Sequence, residues 1–195
     1  MKTATQIALI LLILSPSVTL AQQPDFTGTW ERNDRLSQDP FEKIDIAMGA
    51  GDASGAGTNT YNAVNRGTFL RNRDGAALRR LLLDYVEVLE VIEIEHARGE
   101  LQLSVGEGDE FFSLFYLDGE PHARELQDGE RIEAIARWEG DTIRVEQKAK
   151  GGASLVEVFT MMPSGDQIAL IFHLTSQVTN TPVLFRTVYD RTKED

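Results

Sequence analysis

The chain has 195 residues and no cysteine, and 31 acidic residues against 19 Lys and Arg give it a net charge of −12. Zero cysteines exclude disulfides, thiolate metal sites, a cysteine nucleophile and an N-terminal cysteine lipid anchor. The acidic surplus argues against general affinity for nucleic acid or for an anionic membrane.

Residues 1–21 read as an export leader: Lys2 supplies a positive start, Ile7 to Leu14 is an unbroken apolar run, and Ala21 offers a small residue for cleavage. Removing them leaves 22–195, 174 residues with a net charge of −13, in the periplasm or secreted. That length suits one domain, able to bury roughly 70% of the surface its unfolded chain exposes. The apolar run is shorter than the about 20 residues a membrane span needs, and no later stretch replaces it, so no transmembrane segment is expected.

The first strand is expected over 26–32 and is followed by an insertion, 39–85, of different character. Asp39-Pro40-Phe41-Glu42 combines an N-cap acid, a proline at the first helical position and an acid at the third. Phe41, Ile44 and Met48 then share a helical face, and Gly49 can end the helix. A second short helix can start at Asp74, with Leu78, Leu81, Leu82 and Tyr85 on one face. Between them, 49–57 is glycine-rich and 58–72 asparagine-rich, too poor in apolar residues to order itself.

From Glu87 onward the sequence breaks repeatedly at Gly-containing turns, among them Asp118-Gly119, Asp128-Gly129, Gly140-Asp141 and Gly165-Asp166. Breaks about every 8 to 14 residues indicate hairpins joined into an antiparallel meander. Alternation supports this: Ile132, Ala134, Ala136 and Trp138 share one strand face, opposite Glu133 and Arg137. Ile143 with Val145, and Ile168, Leu170, Phe172 and Leu174, form two more apolar faces. Phe111-Phe112-Ser113-Leu114-Phe115-Tyr116-Leu117 is apolar on both sides and needs cover on each. The fold expected is mainly β, an up-and-down barrel of about 8–10 strands, because closing the sheet removes its edges.

Phe26-Thr27-Gly28-Thr29-Trp30, the helical insertion after it, and the ending Phe185-Arg186-Thr187-Val188-Tyr189-Asp190-Arg191 resemble the lipocalin-like (calycin) barrels, closest in layout to the fatty-acid-binding proteins. The Gly-Thr-Trp start and Val-Tyr-Asp-Arg end are also similar to a group of uncharacterised secreted bacterial proteins. The resemblance implies that Gly28 and Trp30 close one end of the barrel beneath an arginine of the last strand, Arg186 or Arg191. It further implies a ligand clamp built from an arginine and a tyrosine of that strand. Here Arg186 and Tyr189 stand three apart, which puts them on opposite faces of a regular strand.

Within 49–83 of the insertion, five arginines, Arg66, Arg71, Arg73, Arg79 and Arg80, stand against Asp52 and Asp74, a local charge of +3 in an otherwise acidic chain. If the helices cap the barrel, these arginines meet an anionic amphiphile at its mouth; alternatively they pair with the acidic barrel. Ala134 and Ala136 beside Trp138 either leave room for a ligand or accommodate bulky phenylalanines. The histidines His96, His122 and His173 show no metal-ligand spacing, and neither a metal nor another cofactor is expected. No nucleophile or dinucleotide motif is present. The expectation is a non-enzymatic binding protein for a small hydrophobic, anionic ligand such as a fatty acid or lipid, contacted by Arg66, Arg71, Arg73, Arg79, Arg80, Trp138, Arg186 and Tyr189. The alternative is a cell-envelope interaction or inhibitor module with a filled barrel.

Overall fold

The computed structural model describes residues 23–47, 90–105, 111–126, 129–149, 152–176 and 181–192. The expected leader 1–21, the helix from Asp74, the glycine- and asparagine-rich segments and all five insertion arginines lie outside the described residues.

Ten strands follow the hairpin rhythm of the sequence: β1 (Gly28–Arg32), β2 (Val91–Ala97), β3 (Glu100–Val105), β4 (Phe111–Tyr116), β5 (Asp118–Glu125), β6 (Arg131–Glu139), β7 (Thr142–Lys148), β8 (Ser154–Met161), β9 (Gln167–Thr175) and β10 (Val183–Arg191). Every pairing is antiparallel, in the order β4-β3-β2-β1-β10-β9-β8-β7-β6-β5. The last strand returns to the first, Arg32 opposite Tyr189 and Trp30 opposite Arg191, which curls the meander into a nearly closed barrel.

The closure expected from edge removal stops at one seam. β4 and β5 end the ladder and face one another without pairing. The chain at that corner explains it: Leu117 N–H donates to Gly99 O at 2.7 Å, keeping the end of β4 with the β2–β3 hairpin. β5 breaks register between Asp118 and Pro121, and Pro121 has no N–H to offer either neighbour. Side chains bridge what the backbone leaves open. Arg124 of β5 donates to Ser113 Oγ of β4 at 2.6 Å, and the Tyr116 and His122 rings lie 4.5 Å apart.

One short helix, α1 (Pro40–Ala47), follows the first strand. Asp39 caps it, its carboxylate accepting from Glu42 N–H at 3.4 Å and its carbonyl from Lys43 N–H at 3.3 Å. Ile44 and Ala47 point into the core. The stretch before the helix is strapped along β10: Asn33 and Gln38 N–H donate to Val188 and Arg186 carbonyls, and Ser37 Oγ both accepts from Val188 N–H and donates to its carbonyl. Removing the cap with Asp39→Ala is expected to cost about 1 kcal/mol, read as a drop in thermal midpoint.

The core is the barrel interior. Alternate residues of each strand face inward, as the period-two reading of β6, β7 and β9 requires: Ile132, Ala134, Ala136, Ile143, Val145, Ile168, Leu170, Phe172 and Leu174 are all buried. Phe172 and Phe185 stack across β9 and β10 with centroids 4.6 Å apart.

Candidate functional site

One end of the barrel is closed by the first and last strands. Trp30 is fully buried, and its indole N–H donates to Phe26 O at 3.0 Å. The Arg191 guanidinium lies 4.1 Å from the centroid of that indole and donates to Thr27 O at 2.6 Å and Asp25 O at 3.4 Å. Gly28 makes room for it: its φ is +142°, and a Cβ there would stand 2.7 Å from Arg191 Nη1. Asp25 completes the corner. Hydrogen bonds from the Thr27 side chain and N–H, with the charges of His96 and Arg191 adding to them, hold its carboxyl below the usual range. Phe26, His96 and Trp138 lie edge to face or tilted at 5.3 to 6.5 Å beside it.

Arg191 therefore takes the position over Trp30, and Arg186 does not. The β9–β10 register runs without a bulge, so Val183, Phe185, Thr187, Tyr189 and Arg191 face inward while Arg186 faces out. Arg186 is exposed, with its guanidinium reaching Leu36 O at 3.4 Å beneath the 33–38 strap. An interior clamp of Arg186 with Tyr189 is thus ruled out by strand periodicity, and the inward residue nearest to Tyr189 on its N-terminal side is the uncharged Thr187. Trp138, half-buried, belongs to the closed end with Phe26.

Within the barrel the structure shows a polar chain that alternation alone leaves unannounced. Arg124 of β5 is buried, donating from Nη1 to Gln147 Oε1 of β7 at 2.7 Å and from Nη2 to Ser113 Oγ of β4. Gln147 Nε2 in turn donates to Glu157 Oε2 of β8 at 2.5 Å. Gln147 and Glu157 are fully buried, and the Arg124 guanidinium sits 5.5 Å from the Phe115 ring centroid. An arginine and a glutamate are thereby linked through one amide inside a mainly apolar barrel. Isolated burial of either would cost several kcal/mol, so each depends on the chain of hydrogen bonds. The signal in the sequence is a polar residue interrupting an apolar face: Gln147 after Ile143 and Val145, and Glu157 between Leu155 and Phe159.

On β10, Tyr189 is fully buried and its hydroxyl has no hydrogen-bond partner among the described residues. Burial pushes the phenol far above its ordinary value; the nearby Arg32 charge lowers it and the Glu157 charge raises it. Because the folded value is raised, the protein keeps its full stability below about pH 10 and loses it as pH rises beyond the unfolded tyrosine's range. Tyr189→Phe is expected to flatten that alkaline limb and to change stability at pH 7 by less than about 1 kcal/mol, since no hydrogen bond among the described residues is lost. A urea titration repeated between about pH 7 and 11 reads both.

Of the histidines, His96 joins the closed end, His122 pairs with Asp118 at 2.9 Å, and His173 is exposed on β9. Among the described residues no group of three His, Asp or Glu side chains is placed to hold a metal, and no helix is long and apolar enough to cross a membrane.

A sheet that starts at Gly-x-Trp, inserts α1, meanders, and returns to cover the tryptophan with an arginine decides the architecture. The fold is a calycin barrel. Solved structures share it at low sequence identity. A fatty acid transporter, REP1-NXSQ, superposes with a TM-score of 0.51 at 13% identity over 87% of this chain and 97% of its own. A tyrosine-to-phenylalanine mutant of that transporter gives 0.50 at 12% identity over 85% and 97%. The zebrafish ileal bile acid-binding protein in complex with cholic acid gives 0.49 at 12% identity over 86% and 98%. Neither a protein-family model nor a curated protein matches the sequence.

Proposed function

We propose that this calycin barrel is an exported, non-enzymatic binding protein that takes a small hydrophobic ligand, such as a fatty acid or another lipid, into its interior. One observation carries the reading: Arg124, Gln147 and Glu157 form a buried hydrogen-bonded chain inside a barrel lined mainly by apolar side chains. Ligand sites of this kind combine an apolar wall with a few fixed polar groups that set orientation. The fold it shares with a fatty acid transporter supports the same reading. Export rests on the leader read in 1–21. The cationic stretch that holds Arg66, Arg71, Arg73, Arg79 and Arg80 supports long-range attraction for an anionic amphiphile, an effect on encounter and separate from the choice of head group inside the barrel.

Magnitudes divide the work between chain and head group. Each buried CH2 contributes about 0.8 kcal/mol, so a twelve-carbon chain offers a gross of about 9 kcal/mol. Association itself costs about 4–15 kcal/mol. The acyl chain thus supplies the affinity, and the polar chain sets which head groups are accepted.

Extraction of the purified protein with organic solvent, followed by mass spectrometry, should recover a stoichiometric lipid. After delipidation the protein should take up a polarity-sensitive fatty-acid probe saturably. An empty extract together with no saturable uptake, alongside a stable protein partner in a pull-down, would favour the filled interaction module instead.

A further inference from the structure

The fixed charges that the described strands turn toward the interior are already matched within the chain. Arg124 is joined to Glu157 through Gln147. Arg32, the inward residue at the end of β1, forms an ion pair with Nε 3.2 Å from Asp34 Oδ1, although that buried nitrogen has no hydrogen-bond partner among the described residues. Arg191 is outside this set, stacked on Trp30 and bonded to backbone carbonyls at the closed end. A carboxylate entering beside Arg124 would therefore meet a cation that already shares its site with Glu157. It would place a second negative charge in a low-dielectric interior, where two carboxylates cannot both stay ionised cheaply.

Besides that Arg32 nitrogen, the interior leaves a neutral hydrogen-bonding group unmet. The Tyr189 hydroxyl is fully buried, faces into the barrel and has no hydrogen-bond partner among the described residues. It lies within the fields of both Arg32 and Glu157. A phenol both donates and accepts, and with its ionisation pushed up by burial it stays neutral, so it complements a hydroxyl, ester or amide. Ser113 adds a second hydroxyl on the Arg124 side of the barrel.

On these grounds, and resting on the lipid-binding reading above, we propose that the interior selects a lipid with an uncharged, hydrogen-bonding head group, such as a monoacylglycerol or a long-chain alcohol, over the fatty-acid anion of the same chain length. Glu157 is the residue that sets the preference: its charge balances Arg124 and excludes a second carboxylate, a case of selectivity built by repulsion.

The test uses the delipidated full chain and matched twelve-carbon probes: 1-monolauroylglycerol, dodecanol and laurate, each titrated against a displaceable fluorescent probe at about pH 7.5, where laurate in water is ionised. The neutral pair should bind at least about tenfold more tightly than laurate. Glu157→Gln, which keeps the shape and a hydrogen-bonding group, should narrow or reverse that ratio by improving laurate binding; circular dichroism confirms that the variant is folded. Laurate binding the unaltered protein as tightly as the neutral probes would overturn the inference while leaving lipid binding intact. An unchanged ratio in Glu157→Gln would remove Glu157 from the account. If none of the three probes binds, the lipid-binding reading itself fails.

Discussion

Trp30→Ala should lower unfolding stability by about 3–5 kcal/mol, the cost of emptying a large fully buried aromatic position. For a chain of this size that corresponds to a fall in Tm of roughly 10 °C. The loss has several sources. Burial of the indole goes first, and with it the hydrogen bond to Phe26 O and the surface under the Arg191 guanidinium. Arg191 then retains only its bonds to the Thr27 and Asp25 carbonyls, so the β1–β10 closure loosens at the residue pair that defines it. Arg191→Ala should cost less, about 1 kcal/mol, because a partly exposed cation–π contact is worth about 0.5–1 kcal/mol. Gly28→Ala should fall between them. It forces a residue with a Cβ into φ of +142° and drives that Cβ against Arg191 Nη1. A chemical denaturation series over the three variants gives the order directly; Arg191→Ala proving costlier than Trp30→Ala would mean the guanidinium, not the indole, holds this end.

The second large effect is expected in the interior. Arg124→Met should destabilise by about 3–5 kcal/mol, as breaking a buried charged network usually does. Ser113 Oγ and Gln147 Oε1 both lose their donor, and the seam between β4 and β5 loses a side-chain bridge that stands where no backbone ladder exists. Adding Glu157→Gln to Arg124→Met should recover part of that loss, because the compensating charge leaves with its partner. The double-mutant cycle over Arg124 and Glu157 should therefore return a coupling of more than about 1 kcal/mol, transmitted through Gln147. Additive single effects would show that the two charges act independently despite the connecting amide.

Much of the architecture can be read from periodicity because one face of each strand is buried. Ile168, Leu170, Phe172 and Leu174 specify their register by themselves, since a slip of one residue would expose all four. Asp39-Pro40 likewise announces the start of α1 through local chemistry alone. The seam between β4 and β5 is not legible in the same way. Alternation in 111–117 says that both faces need cover, but whether the backbone ladder closes depends on the irregular Asp118 to Pro121 corner.

The site is less legible than the fold for a physical reason. Arg124, Gln147 and Glu157 lie on β5, β7 and β8, and each reads locally as one polar residue among several. Their meaning arises only when closure turns all three inward to within hydrogen-bond distance. Arg186 shows the converse. It lies close to the tyrosine in sequence, yet strand periodicity carries it to the outer face under the 33–38 strap. Arg191, two residues beyond Tyr189, is the arginine that shares the inward face.

The most direct test is a side-chain-resolved NMR titration of the delipidated protein with 1-monolauroylglycerol. Binding inside the barrel predicts saturable shifts at the Arg124 guanidinium, the Gln147 amide and the Phe115 and Tyr189 rings. The outward ion cluster of Arg137, Glu139, Arg144 and Glu146 should stay unmoved. Shifts confined to that outer surface, or none that saturate, would contradict the account.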